Sequence, residues 1–177
     1  MNIQPLLENN RVYLIPLVEG DFESLYQVAS DPLLWEQHPN NDRWQKDVFK
    51  NFFEGALASN GAFKIVDKTS GKVIGSTRFY NYDKNSNSVF IGYTFYERAQ
   101  WGTGVNSSVK KLMLEYAFEN IEVVHFHVGA INKRSQIAVE RLGAIKTGEE
   151  NIAYYGEAPR FNFLYELRKE NCLLVEN

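Results

Sequence analysis

Two glycines two positions apart, Gly102 and Gly104, separate an aromatic and β-branched run, Val89 to Tyr96, from a helical pattern, Val105 to Glu119. A strand, a glycine turn and a helix start form a device for anions. Glycine lets the backbone turn sharply and approach a ligand closely. The first amides of a helix lack intrahelical acceptors and carry partial positive charge. Together they would cradle a phosphate or pyrophosphate. The spacing alone also fits an ordinary tight turn. A P-loop would need a lysine after the second glycine, where Val105 stands, so that kind of nucleotide binder is disfavoured.

Other residue types offer less. His125 and His127 lie two apart on one predicted strand and so share a face. They make a candidate metal pair, but no third ligand has suitable spacing, and two covered strand histidines is the plainer reading. Cys172 is the only cysteine, which rules out an internal disulfide; it falls in a short C-terminal stretch and reads as a bystander.

These residues must be positioned by a fold of moderate size. The 177 residues suit one domain, 1–177, with a core of about 11–167. Hydrophobic content of 44% and charged content of 23% are those of a globular chain. A formal net charge of -3 argues against nucleic-acid binding driven by overall charge. The N-terminus lacks a signal-peptide pattern and no stretch has the ~20 apolar residues a membrane helix needs. The expectation is a cytoplasmic protein that binds neither membrane nor nucleic acid.

Along the chain, Arg11 to Leu17 reads as a strand, and Asp21 as the N-cap of a helix carrying Phe22, Leu25, Tyr26 and Ala29. Asp31-Pro32 ends that helix. Leu33 to Asp42 reads as a loop, and Arg43 to Ser59 as a helix with Trp44, Val48, Phe52, Phe53, Ala56 and Leu57 on one face. Strands at 62–67, 72–80 and 89–96, with short polar turns between them, make an antiparallel meander. In the helix after Gly104, Val105, Val109, Leu112, Met113, Tyr116 and Ala117 keep one side, and Lys110, Lys111, Glu115 and Glu119 the other. A buried strand, Glu122 to Val128, follows. The next helix starts at Asn132, with Ile137, Ala138 and Leu142 inward, and stops at Gly143. A short strand near Ala144 to Thr147 and a last one, Arg160 to Leu167, precede a fraying tail. The order βααβββαβαβ implies a mixed sheet with helices on its faces.

With that order in place, the chain resembles the GNAT superfamily of acyl-CoA-dependent N-acyltransferases. Within it, the ribosomal-protein N-terminal acetyltransferase branch is the most similar. The resemblance spans roughly Arg11 to Leu167. It is carried by Ile91-Gly92-Tyr93-Thr94-Phe95, by Trp101-Gly102-Thr103-Gly104-Val105-Asn106, and by Asn132-Lys133-Arg134-Ser135 followed by Leu142-Gly143-Ala144. It implies an α/β (α+β) fold with a splayed, mixed but mostly antiparallel sheet and helices on both faces. It also implies acetyl-CoA as acyl donor, with no metal. Amides from Gln100, Trp101, Gly102, Thr103, Gly104 and Val105 would hold the pyrophosphate. The main chain of Tyr93, Thr94 and Phe95 would hold the pantetheine arm like an added strand. Asn132 would meet the arm from the other side, unless it is simply a helix cap, and Ser135 would lie close by or face solvent.

The implied reaction is direct attack of a primary amine on the thioester in a ternary complex. The acceptor would be a protein N-terminus or a small-molecule amine. Such chemistry needs a neutral amine, a polarised carbonyl and above all proximity. Two departures from the family pattern leave the acid and base unassigned: Phe90 replaces a common glutamate and Val139 a common tyrosine; a third, Ala99, stands where the family's loop often has Gln or Arg. Tyr93, Ser135 and His38 are the catalytic candidates, and Ser76, Arg78, Tyr154 and Tyr155 fall near the expected acceptor cleft. Asp31, Glu36 and Asp42 would draw a cationic acceptor or merely be solvated. Phe90 and Val139 also keep open a coenzyme-A-binding or scaffold protein without turnover. A homodimer is a further open expectation.

Overall fold

The structure, a computed structural model, describes residues 1–174. Thirteen labelled strands and helices occur in the order β1 (Leu7–Glu8), β2 (Val12–Pro16), α1 (Phe22–Ala29), α2 (Pro32–Trp35), α3 (Lys46–Ala58), β3 (Ala62–Asp67), β4 (Val73–Asp83), β5 (Ser88–Tyr96), α4 (Val105–Phe118), β6 (Val123–Gly129), α5 (Lys133–Glu140), β7 (Ile145–Ile152) and β8 (Arg160–Arg168). The eight strands form one sheet in the order β1-β2-β3-β4-β5-β6-β8-β7. Only the β5–β6 pair is parallel.

That pair explains the shape of the sheet. β5 and β6 are in register only at Ser88↔Val123, Val89↔Val124 and Phe90↔His125. β5 runs on to Tyr96 and β6 to Gly129 without pairing, so a wedge opens between them. The β4–β5 ladder adds a bulge. Ser76 faces Phe95 and Arg78 faces Gly92, leaving Thr77 opposite both Tyr93 and Thr94. Tyr93 takes φ 53, a left-handed conformation costly for a tyrosine, which turns the strand at the wedge.

Alternation along the strands feeds two cores, one on each face. On one face α4 lays Val109, Met113, Leu114 and Ala117 against Ile65, Phe79 and Ile91. On the other, α1 to α3 pack Leu25, Trp35, Phe49, Phe52 and Phe53 around Phe95 and Ala62.

The structure departs from the sequence expectations at several places. Asp21 makes no side-chain cap on α1; its carboxylate accepts from the Val18 amide and pairs with Lys64. The expected loop after Pro32 begins with a short helix, α2, capped by Asp31. α3 starts at Lys46 rather than Arg43, because Arg43 turns inward, 2% exposed, while Trp44 is exposed instead of packed. Ile137 is exposed too, on the cavity rim. β1 went unforeseen, and β7 extends to Ile152. The tail does not fray over its described part. Cys172 is buried in the α4-side core, and the Leu173 amide donates to the Leu142 carbonyl. Residues 175–177 of that tail lie outside the described residues.

Candidate active site

The wedge opens into a cavity of about 700 Å³ that runs from the Gly102–Gly104 turn, past the Tyr93 bulge, to an aromatic chamber walled by α2 and the segment after β7. Its first end is the glycine turn and the start of α4. Gly102 (φ 73) and Gly104 (φ 84) are both left-handed. A Cβ at Gly102 would meet nothing within 4 Å, and one at Gly104 only the Arg11 guanidinium at 3.4 Å, so both face open space. Among the described residues, the amides of Gly102, Gly104, Val105, Asn106 and Ser107 have no acceptor. The Ser108 amide is the first to be paired, to the Gly104 carbonyl.

The unpaired amides therefore lie nearer the helix than the expected run from Gln100 to Val105. The Gln100 and Trp101 amides donate within their own turn, to Glu97 and Arg98, and Thr103 donates weakly to Gln100. Thr103 is further held by Arg11, which donates to its carbonyl at 2.8 Å and to Oγ1 at 3.1 Å. The Val105 side chain is core, although its amide is free. Gln100 and Trp101 still line the cavity by their side chains, and the Arg134 guanidinium lies 3.9 Å over the Trp101 ring.

In the middle stretch Tyr93, Thr94 and Phe95 line one wall, with Asn132 and Ser135 opposite. Asn132 is the helix cap: its Oδ1 accepts from the Ser135 amide at 3.1 Å, leaving Nδ2 as a donor toward the cavity. Lys110 lies here as well, against expectation. It is 5% exposed, and its Nζ donates to Thr94 Oγ1 at 2.8 Å. Burial alone pushes its pKa down to about 7. The amphipathic pattern put Lys110 on the water side with Lys111, Glu115 and Glu119, which are exposed. The wedge breaks that pattern, because it leaves a polar hydroxyl and open space where a closed sheet would present apolar side chains.

The far chamber is built from Trp35, His38, Arg43, Tyr80, Tyr93 and Tyr154. Arg43 holds Glu157 through two bonds, Nε to Oε1 at 2.9 Å and Nη2 to Oε2 at 2.8 Å, and Asn40 Nδ2 also donates to Glu157. Arg78 does not reach the cavity directly. It stacks 3.8 Å over Tyr93, donates to the Gly55 carbonyl, and keeps its buried Nε unpaired. Ser76 is spent on the Phe63 carbonyl, and Tyr155 points to solvent. His38 is committed: Nδ1 accepts from the Asn40 amide and Nε2 lies 3.2 Å from Arg43. Burial, then Arg43, holds its pKa well below the usual histidine range. With both nitrogens occupied it is a poor base. Asp31 caps α2 and pairs with Arg98, so its charge is already balanced.

Tyr80 and His127 are the polar pair the sequence left unassigned. Tyr80 Oη is 3.2 Å from His127 Nδ1, and both side chains line the chamber. Among the described residues no three His, Cys, Asp or Glu side chains gather closely enough to hold a metal ion, and no helix is long and apolar enough to cross a membrane.

A wedge in a mostly antiparallel sheet, with free amides at one end and an aromatic chamber at the other, is the architecture of an acyltransferase of the GNAT type. Residues 11–145 match the family described as an acetyltransferase (GNAT) domain. The chain belongs to that family and is an N-acetyltransferase. A GCN5-related N-acetyltransferase from Brucella melitensis superposes with a TM-score of 0.78 at 19% identity, over 95% of this chain and 80% of its own. Mycobacterium smegmatis RimJ, solved in complex with CoA-disulfide, superposes with a TM-score of 0.67 at 17% identity, over 90% and 82%. A chimera of the spermidine N-acetyltransferase SpeG from Vibrio cholerae and hSSAT superposes equally well, TM-score 0.67 at 15% identity, over 90% and 96%. At these identities the likeness is one of fold.

Proposed function

We propose that this chain, acting as one domain, moves an acetyl group from acetyl-CoA to a primary amine by direct attack within a ternary complex. The observation that carries the reading is the single cavity that joins unpaired amides at Gly102 and Gly104–Ser107 to the Tyr93 bulge and the aromatic chamber. The residues fit a diphosphate: five free donors converge beside two glycines whose missing side chains leave open space. Gln100, Trp101, Gly102 and Gly104, with the amides of Val105, Asn106 and Ser107, would hold the diphosphate end. The main chain of Tyr93, Thr94 and Phe95, with Asn132 and Ser135 opposite, would hold the arm. The bound donor supplies an activated thioester, and the protein supplies proximity and a dry chamber.

The acceptor remains a primary amine of a protein N-terminus or a small molecule, and the chamber favours one without a second positive charge. Among the described residues no carboxylate lines the cavity; the nearby Glu157 is already clamped by Arg43 and Asn40, and Arg78 adds a further buried cation behind Tyr93.

Gly104→Val tests the cradle. The variant should lose coenzyme A affinity by roughly tenfold or more, the scale expected when charge-assisted amide bonds are blocked. It should also lose about 1–2 kcal/mol of stability from the left-handed backbone. Gly71→Val is the matched control: Gly71 has φ 68, nothing within 4 Å of its Cβ position, and sits in a remote turn. Equal coenzyme A affinity in the two variants, read by calorimetry, would remove the cradle from the account.

A further inference from the structure

The acceptor must shed protons, and neither Phe90 nor the occupied His38 can take them. We propose that Tyr80, His127 and Glu150 form a proton path that carries the acceptor's proton from the chamber to solvent. The inference rests on the acetyl-transfer reading above.

The geometry is a continuous line across three strands. Tyr80, on β4, stands edge-on to Tyr93 at the bulge, with ring centroids 5.0 Å apart. Its hydroxyl lies 3.2 Å from Nδ1 of His127 on β6. On the far side of that imidazole, Nε2 is 3.5 Å from Oε2 of Glu150 on β7, a carboxylate 47% exposed to water. The His127 ring packs on Phe90, with centroids 4.5 Å apart and planes tilted by 33°, so the aromatic residue in the glutamate's place serves as its backing. Nε2 is buried and has no closer hydrogen-bond partner among the described residues than the Glu150 carboxylate.

The carboxylate opposite Nε2 favours the tautomer with hydrogen on that nitrogen. Nδ1 is then an acceptor for the Tyr80 hydroxyl. As the acceptor amine attacks, its N–H bond breaks and the proton goes to Tyr80 Oη. The hydroxyl's own proton moves to His127 Nδ1, and the imidazolium formed faces the Glu150 carboxylate. Release of the Nε2 proton to water past Glu150 leaves the Nδ1–H imidazole, so one proton leaves the amine and one reaches solvent; exchange of the ring protons with water once the products have left then restores the Nε2–H tautomer. Burial lowers the His127 pKa, offset by Glu150, so the ring is neutral and able to accept at neutral pH. The groups facing it are Tyr80 from β4, Phe90 from β5, Glu150 from β7 and His125 on its own strand. His125 in turn faces Glu166 and Arg168.

The test has two arms. Histidine-selective NMR of the protein without acceptor should find His127 as the Nε2–H tautomer, with a pKa below the usual histidine value that falls further in Glu150→Gln. An Nδ1–H tautomer, or a pKa unmoved by that half-exposed substitution, overturns the path. In steady state, Tyr80→Phe should lower kcat about a hundredfold with the KM for acetyl-CoA unchanged. The acid limb of the kcat profile should follow the NMR pKa and move to lower pH in Glu150→Gln. A Tyr80→Phe enzyme with the parent's kcat, or a limb that stays put, also overturns it. Thiol release by the parent protein with an amine panel tests acetyl transfer itself. Coenzyme binding without amine-dependent release would sink that reading, whereas a wrong tautomer with normal turnover sinks the path alone.

Discussion

Lys110→Met should make the protein more stable at pH 7, and the gain should shrink as the pH rises toward 10. Lys110 is buried among neutral groups and has no carboxylate partner among the described residues; its one bond is to Thr94 Oγ1. Burial lowers its folded pKa from 10.5 to about 7. Between those values the unfolded chain holds a proton that the folded chain has given up. Stability therefore rises with pH across the window, by up to about 1.4 kcal/mol per unit, and the full cost stands below pH 7. Methionine has similar length and no proton to lose. Thr94 keeps its bonds to Thr77 and the Gly92 carbonyl. The net gain at pH 7 should be on the order of 2–4 kcal/mol, or roughly 5–15 °C in Tm for a chain of this size. An unchanged Tm at pH 7, or a gain that grows toward pH 10, would contradict the burial argument. Lys110 follows Asn106 by one helical turn, so the same variant should bind coenzyme A more weakly while melting later.

How much of this was legible beforehand divides along sequence distance. The Gly102–Gly104 turn, the Val89–Tyr96 strand and the Asn132 helix start are local. Backbone preference and spacing encode them, and the structure has each in place. That the unpaired amides would fall at Gly104–Ser107 was not readable. It depends on whether the Gln100 and Trp101 amides close their own turn, which residue types alone do not decide. Lys110 was misplaced for a different reason. Helical periodicity tells which residues share a face but not that the sheet beneath is split. The Tyr80–His127–Glu150 line joins β4, β6 and β7, and sequence order carries no sign that β8 would insert between the last two. The Arg43–Glu157 pair is 114 residues apart. A cation at the expected start of a helix reads as a surface charge until its partner is known. What a sequence does offer in such a case is a mismatch: Arg43 and Trp44 cannot both face inward at the start of α3, and the structure chose the arginine.

That choice makes Glu157→Ala the substitution with the largest expected loss. Arg43 is 2% exposed and Glu157 10%, and the two share a bidentate bond. Around the guanidinium stand Phe52 at 4.7 Å, Tyr154 at 5.5 Å and Trp35 at 5.7 Å, so no water replaces a lost carboxylate easily. Removing Glu157 leaves a buried cation near a second one, Arg78, at a cost of about 3–5 kcal/mol, or roughly 6–20 °C in Tm. Glu157→Gln keeps the shape and one acceptor and should lose less. The double change Arg43→Met with Glu157→Leu should recover most of the loss, since the penalty lies in the orphaned charge and not in a missing attraction. Loss should also be local in function. Arg43, Tyr154 and Trp35 wall the aromatic chamber proposed for the acceptor, while Gly104, Asn106 and Ser107 line the other end of the cavity. At a temperature where Glu157→Gln remains folded, its KM for the amine should rise while coenzyme A affinity holds. A rise in both, or a double variant as unstable as Glu157→Ala, would mean that the pair braces the whole wedge rather than the chamber.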